Sequence, residues 1–281
     1  MTSGSSDNHL GSLGFSRDRE GIGQLTDSQR LRELLVMLTW RDIKVRYKQS
    51  IMGFLWAIFM PALIVISGVL IRTAAARMSG VPLTTDDIGS VMVKSVPWAF
   101  FIGAIKFSTQ SLVGNGNLVT KIAFPKEIFP LAAVGSSLFD FAIASAALVL
   151  VLLLLGWQPT ISTLWAVPLC LVLVIFSSAL ALFLSAANLF YRDVKYVVDV
   201  VLTFAIFFTP VLYDSIMLGD WQVVALLNPV APILEGLSDV MMHDALSNPW
   251  WTTYSFVVSA LLFVMSYRFF KRVECQFAER L

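Results

Sequence analysis

Three ionisable side chains stand inside otherwise apolar runs: Lys94, Lys106 and Asp140. A charge in hydrocarbon is costly, so such residues usually face a protein interior or a water-filled path. Lys106 and Asp140 are expected to pair with each other, as a structural bridge or as a contact to something that passes. Lys94 is expected to snorkel to the nearer interface. Aromatic rings offer a second chemistry. Phe54, Trp56 and Phe59 form one group, and Phe204, Phe207, Phe208 and Tyr213 another, with Val211 expected on the same helical side. Sugar rings have apolar faces that stack on such rings, and stacked contacts tolerate sliding. Plain packing or lipid contact is the alternative for each ring.

The familiar reaction motifs are missing. No Gly-Lys dipeptide occurs, so there is no P-loop. His9 and His243 form no HExxH and no metal cage. No G-x-S-x-G elbow is present. Asp86-Asp87 reads as a solvated loop. Cys170 lies in an apolar run and Cys275 in a charged stretch, so the two are not expected to pair.

The surroundings of these residues are those of a membrane protein. Of 281 residues, 57% are hydrophobic and 14% charged, with a mean hydropathy of +0.76. Soluble domains carry roughly 25% charged residues. An all-α polytopic membrane protein is the expected fold class, and a compact soluble enzyme is nearly excluded.

A membrane span needs about 20 apolar residues. Six transmembrane helices are expected, near 51–71, 91–113, 128–155, 164–190, 196–213 and 250–267. Pro61 would kink the first. Gly156-Trp157-Gln158-Pro159 divides the long uncharged stretch between the third and fourth. Residues 1–26, rich in Ser, Gly and Asp, read as a disordered tail without the features of a signal peptide. Residues 27–50 read as an amphipathic interface helix. Leu31, Leu34, Leu35, Leu38 and Val45 face acyl chains, while Arg30, Arg41, Lys44, Arg46 and Lys48 reach phosphates. Packing as an ordinary helix on a partner is the rival reading.

Charge sets the orientation. With the amino terminus inside, one side collects Arg41, Lys44, Arg46, Lys48, Lys121, Lys126, Arg192, Lys195, Arg268, Lys271, Arg272 and Arg280. The positive-inside rule then places both termini in the cytoplasm. The stretch 214–249 carries acids and no Lys or Arg, and it belongs outside. Its apolar residues on either side of Asn228-Pro229 suggest two short re-entrant outer helices, each too short to span. The cytoplasmic segment from Asn115 to Glu127 mixes cations with Leu118, Ile122 and Phe124, a pattern suited to docking in a partner's groove.

The run Arg41-Asp42-Ile43-Lys44-Val45-Arg46-Tyr47-Lys48-Gln49 with Gly53-Phe54-Leu55-Trp56 and Pro61 resembles the amino-terminal signature of ABC-2-type polysaccharide exporter permeases. Pro97-Trp98 with Phe100-Phe101, then Asn117-Leu118 to Lys121, Phe124-Pro125-Lys126-Glu127, Tyr191-Arg192-Asp193, Thr209-Pro210 and Asn228-Pro229 are similar to further landmarks, in order. Asp199 and Ser238-Asp239 depart from the pattern. The resemblance implies an ABC-2-type transmembrane domain over 51–281 in the inner membrane. It also implies a homodimer, two cytoplasmic ABC ATPase subunits that bind ATP and Mg, and a lipid-linked polysaccharide as cargo. This chain would then bind no cofactor and no nucleic acid. The ATPase contact would involve Asn117, Lys121, Phe124, Pro125, Lys126 and Glu127. A polytopic glycosyltransferase and an ABC-2 drug or lipid exporter are the alternatives.

Overall fold

The structure, a computed structural model, describes residues 27–48, 50, 52–80, 82–121 and 124–280. The expected tail over 1–26, and Gln49 and Ile122 of the motifs above, lie outside the described residues. All regular elements described are helical. In chain order they are α1 (Asp27–Tyr47), α2 (Leu55–Ser79), α3 (Thr85–Thr109), α4 (Ser111–Gly114), α5 (Gly116–Lys121), α6 (Ile128–Leu154), α7 (Ala166–Phe190), α8 (Val194–Phe208), α9 (Gln222–Leu226), α10 (Val230–Met242), α11 (Pro249–Val273) and α12 (Phe277–Arg280). Short 3-10 turns precede α7, α9 and α12.

Five of these helices, α2, α3, α6, α7 and α11, are long and apolar enough to cross a membrane. The expected fifth span is the exception. α8 has 15 residues, roughly 22 Å at 1.5 Å per residue, against a hydrocarbon core of about 30 Å. It stops because Pro210 disfavours the helical conformation at the residue before it. Thr209 accordingly turns extended, at φ −110° and ψ 134°. Val211, expected on the aromatic side of this helix, lies beyond its end and is fully buried.

Other boundaries follow local chemistry. Thr84 caps α3: its hydroxyl oxygen accepts from the Asp87 N–H, and the Asp87 carboxylate accepts the Thr84 N–H in return. Asp87 is therefore a capping residue, not part of a solvated loop. α6 ends where Gly156 takes φ +89°, a left-handed conformation that a Cβ would oppose.

The bundle has a tight half and an open half. α3 packs along α6, α7 and α10, and α7 packs along α11. α7 buries Ser177, Ala181 and Ser185, and α11 buries Ser255, Ser259 and Ser266. Small residues at such spacing let helices approach closely where lipid gives no hydrophobic drive. α10, though short, is almost wholly buried, with Ile233, Leu234 and Val240 at zero exposure. α2 leans on α3 closely enough that a Cβ at Gly68 would come 2.5 Å from Val91. The outward sides of α2 and α8 are left open, exposing Met60, Ile66 and Leu70 on one and Val200, Val201 and Phe204 on the other.

α1 packs against α6. Leu31, Leu34, Leu35 and Leu38 join a cluster with Leu112, Phe129, Phe270 and Phe277 at the end of the bundle where the cations gather, here the basic end. Val45 does not follow them. It is 70% exposed, because the last turn of α1 meets α6 through Arg46 and Tyr47, which both bind Asp140.

Candidate functional site

Four ionic assemblies involve the membrane-spanning helices, and their closure differs. At the basic end, the Arg46 guanidinium pairs with Asp140, donates to Ser136 Oγ at 3.0 Å, and lies over the Phe107 ring. Arg41 donates to Asp42 and to Asn115 Oδ1, each at 2.8 Å. Two of the cations expected to reach phosphates therefore turn inward and tie α1 to the bundle, while Lys44 and Lys48 remain exposed. Burial, then the bond to Asp140, pushes the Tyr47 hydroxyl pKa up from its ordinary value.

The loop between α5 and α6 is also tied down. Glu127 is 9% exposed and pairs with Lys271 at 2.7 Å. The Lys126 N–H donates to the Glu274 carboxylate, also at 2.7 Å. The Phe124 ring sits half-buried, 5.5 Å from Phe129, and Pro125 is half-buried beside it. Of the residues expected to meet an ATPase, Asn117 and Lys121 are exposed, whereas Glu127 and the Lys126 backbone are held by the end of α11.

At the other end, where Asp86, Asp220, Asp239 and Asp244 lie, a buried network joins four parts of the chain. Arg72 of α2, 4% exposed, contacts Asp87 at 3.0 Å and Asp214 at 2.9 Å, and donates to the Leu212 carbonyl. Lys94 of α3, 1% exposed, meets Asp214 at 2.5 Å. Ser90 donates to Asp214 at 3.1 Å and accepts from Ser238 of α10 at 2.8 Å. Glu235, one turn earlier on α10, accepts from both the backbone and the hydroxyl of Ser215. Lys94 thus does not snorkel; the half-buried carboxylate of Asp214 meets it inside the bundle. Burial alone would raise the Asp214 carboxyl pKa, but Lys94 and then Arg72 overcome it and hold the value at about 2.

The expected Lys106–Asp140 pair does not form. Asp140 faces α1, and Lys106 meets Asp199 of α8 at 3.2 Å, with side-chain exposures of 40% and 48%. Asp199, which departs from the family pattern in sequence, gains a partner here. Arg72 and Asp214 are not among the intramembrane charges singled out from sequence, although each borders an apolar run and is open to the same argument.

The two aromatic groups are not brought together within one subunit. Phe54 packs its ring on Tyr47 and Phe139, and Trp56 on Phe59, at the basic end. Phe204, Phe207 and Phe208 are exposed near the far end of α8. Tyr213 folds back to donate to the Phe207 carbonyl at 3.0 Å. α8 rests on α3 and α7, and α2 rests on α3 and α6.

Known proteins match this chain along most of its length. The chain is 28% identical to O-antigen export system permease protein RfbA of Klebsiella pneumoniae over 251 residues, covering 89% of this chain and 95% of the relative. It is 28% identical to the protein of the same name from Myxococcus xanthus over 255 residues, 88% of this chain and 95% of that one. The model of the ABC-2 type transporter family matches residues 33–242. A multi-pass helical protein with that match along most of its length belongs to the ABC-2 type transporter family.

Proposed function

We propose that this chain is the membrane subunit of an exporter that moves a lipid-linked polysaccharide from the inner to the outer side of the cytoplasmic membrane. The observation that carries this is the similarity to O-antigen export permeases over 95% of their length. On this reading two copies form a homodimer, and two cytoplasmic ATPase subunits supply ATP hydrolysis. The basic end faces the cytoplasm with both termini, as cation asymmetry favours. α8 and the turn at Thr209–Tyr213 complete a sixth crossing. α9 and α10 are the outer re-entrant pair, and α1 lies in the inner interface with Val36, Met37 and Trp40 toward acyl chains. Exposed Asn117 and Lys121 meet the ATPase directly, and Phe124 backs them. The open sides of α2 and α8 line the path between subunits.

The test is transport. The chain, purified with its genomic neighbour ATPase and placed in vesicles with lipid-linked glycan, should deliver that glycan across the bilayer only when ATP is present. Delivery without ATP, or ATP-driven movement of small hydrophobic solutes with the glycan left behind, would sink the reading. Phe124→Ala should leave glycan on the loading side while ATP is still consumed.

A further inference from the structure

Most charges in or beside the spanning helices are closed off by several partners. Arg72 and Lys94 share Asp214, Arg46 and Tyr47 share Asp140, and Lys271 is held between Glu127 and Glu274. The Lys106–Asp199 pair differs from all of these. Its partners stand 3.2 Å apart, and both are open, at 40% and 48% exposure. Around them lie exposed Phe107, Val200 and Val201. Intramembrane charges of this kind line pathways in many membrane proteins, and an open pair is free to exchange its partner.

Its position is fixed by a buried neighbour. Asn188 of α7, 2% exposed, donates to the Thr109 carbonyl at the end of α3, at 2.9 Å, and accepts from the Lys195 N–H at the start of α8, at 3.1 Å. One side chain thus clamps the two helix ends together. Lys106 lies three residues inside one end and Asp199 five inside the other, roughly 5–8 Å deep at 1.5 Å per residue. With the basic helix ends set at the headgroups, as the export reading has them, that depth is where headgroups give way to acyl chains. Lys195, one turn before Asp199 on α8, and the exposed Arg192 continue the positive charge toward the basic end.

We propose that Lys106 and Asp199 form an exchangeable receiver for the phosphate group that joins the cargo's lipid to its glycan. This rests on the export reading above. The entering phosphate takes the Lys106 ammonium from Asp199, with Lys195 as a second cation. Asp199 recaptures Lys106 when the anion moves on. Asp199 keeps the site from holding its anion too firmly and spares Lys106 an unpaired charge while the path is empty. Asn188 is a positioning residue that keeps the two helices in register.

The test uses the full chain with its ATPase in vesicles of phosphatidylcholine, alone or doped with undecaprenyl phosphate or with phosphatidylglycerol. Lipid retained by the purified complex is measured by mass spectrometry. Undecaprenyl phosphate should be retained over phosphatidylglycerol. Lys106→Met should lower that retention about tenfold, the loss of one charge-assisted contact. Asp199→Asn should raise retention and slow glycan delivery. Unchanged retention in Lys106→Met would overturn the proposal. So would equal retention of both lipids, which would make the site a holder of ordinary anionic lipid. A variant that lowers assembly of the complex while each assembled complex retains as much lipid would show a subunit contact instead. If the wild-type complex delivers glycan yet Lys106→Met binds and delivers as before, this inference fails and the export reading stands; if the wild-type complex delivers none, the export reading fails.

Discussion

The two ends of the bundle treat their charges in opposite ways. At the acidic end, Arg72 and Lys94 are 4% and 1% exposed, and each has more than one oxygen within reach. At the basic end of α3 and α8, Lys106 and Asp199 are ten or more times as open and have one another. A buried charge that keeps its hydrogen bonds holds helices in one arrangement, because removing either partner strands the other. An open pair holds little and can be exchanged. The acidic-end network joins α2, α3, the turn after α8, and α10 into one body. The basic-end pair fastens α8 to α3 only loosely.

The hardest way to break this contrast is to remove the shared anion. Asp214→Ala leaves Lys94 and Arg72 buried beside a missing carboxylate, and stability should fall by about 3–5 kcal/mol. Thermal unfolding in detergent would show it, with poor recovery of folded protein as the extreme case. Replacing Lys94 and Asp214 together, by Met and Asn, should cost less than Asp214→Ala alone, since only Arg72 then loses a partner. Equal costs would mean that the network is not a unit.

Acid attacks the same carboxylate without mutation. Asp214 is held at about 2, below its ordinary 3.8. A depressed carboxylate stabilises the fold fully above the unfolded value, and the gain is lost as pH falls through the folded one. Stability should therefore be flat through neutral pH and lose about 2 kcal/mol between pH values near 4 and 2. Asp214→Asn should abolish that step. Loss of the network at pH 5 or 6 would contradict the pairing.

Hydropathy and turn residues made much of the frame legible. The third expected span, 128–155, matches α6 at Ile128–Leu154, and Gly156 and Asn228-Pro229 mark real breaks. These are local matters of apolar length and backbone conformation. The fifth helix closes near Pro210, as its sequence indicates, because Pro210 acts on the backbone of Thr209; the apolar run on through Val211 and Leu212 is not helix. Charge pairing was missed. Apolar runs give the depth of Lys94, Lys106 and Asp140, but not the direction each faces around its helix. Direction is set by packing: Asp140 faces α1, Lys106 faces α8, and Lys94 faces the turn that follows α8. The same limit applies to Glu127: the sequence gives its place in the loop before α6 but not its pairing with Lys271.

The aromatic stripe on α8 should behave like the open end. Phe207 and Phe208 are 60% and 74% exposed, so changing both to Ala should alter stability by about 0.5 kcal/mol or less. Its effect should instead fall on transport. If these rings close the path by packing and then stack on sugars, the double variant leaks ions and exports less glycan while remaining bound to its ATPase. Normal export without leak would place the rings against lipid.

The smallest expected change in stability decides the contrast most directly. A double-mutant cycle on Lys106→Met and Asp199→Asn should give a coupling energy of about 0–1 kcal/mol, as open pairs do. The same cycle on Lys94 and Asp214 should give several times more, because Lys94 is shut away from solvent beside a half-buried Asp214 and loses its anion when Asp214 is changed. Both cycles can be read from unfolding of the same detergent-solubilised protein, so the comparison does not depend on the membrane or on an ATPase. A large coupling at Lys106–Asp199 would make that pair a second lock, and an exchange of its cation with a passing phosphate would then be too slow to serve transport. A small coupling, together with the loss of lipid-phosphate retention in Lys106→Met, would separate the two ends by role: one fixes the helices, and the other is free to let go.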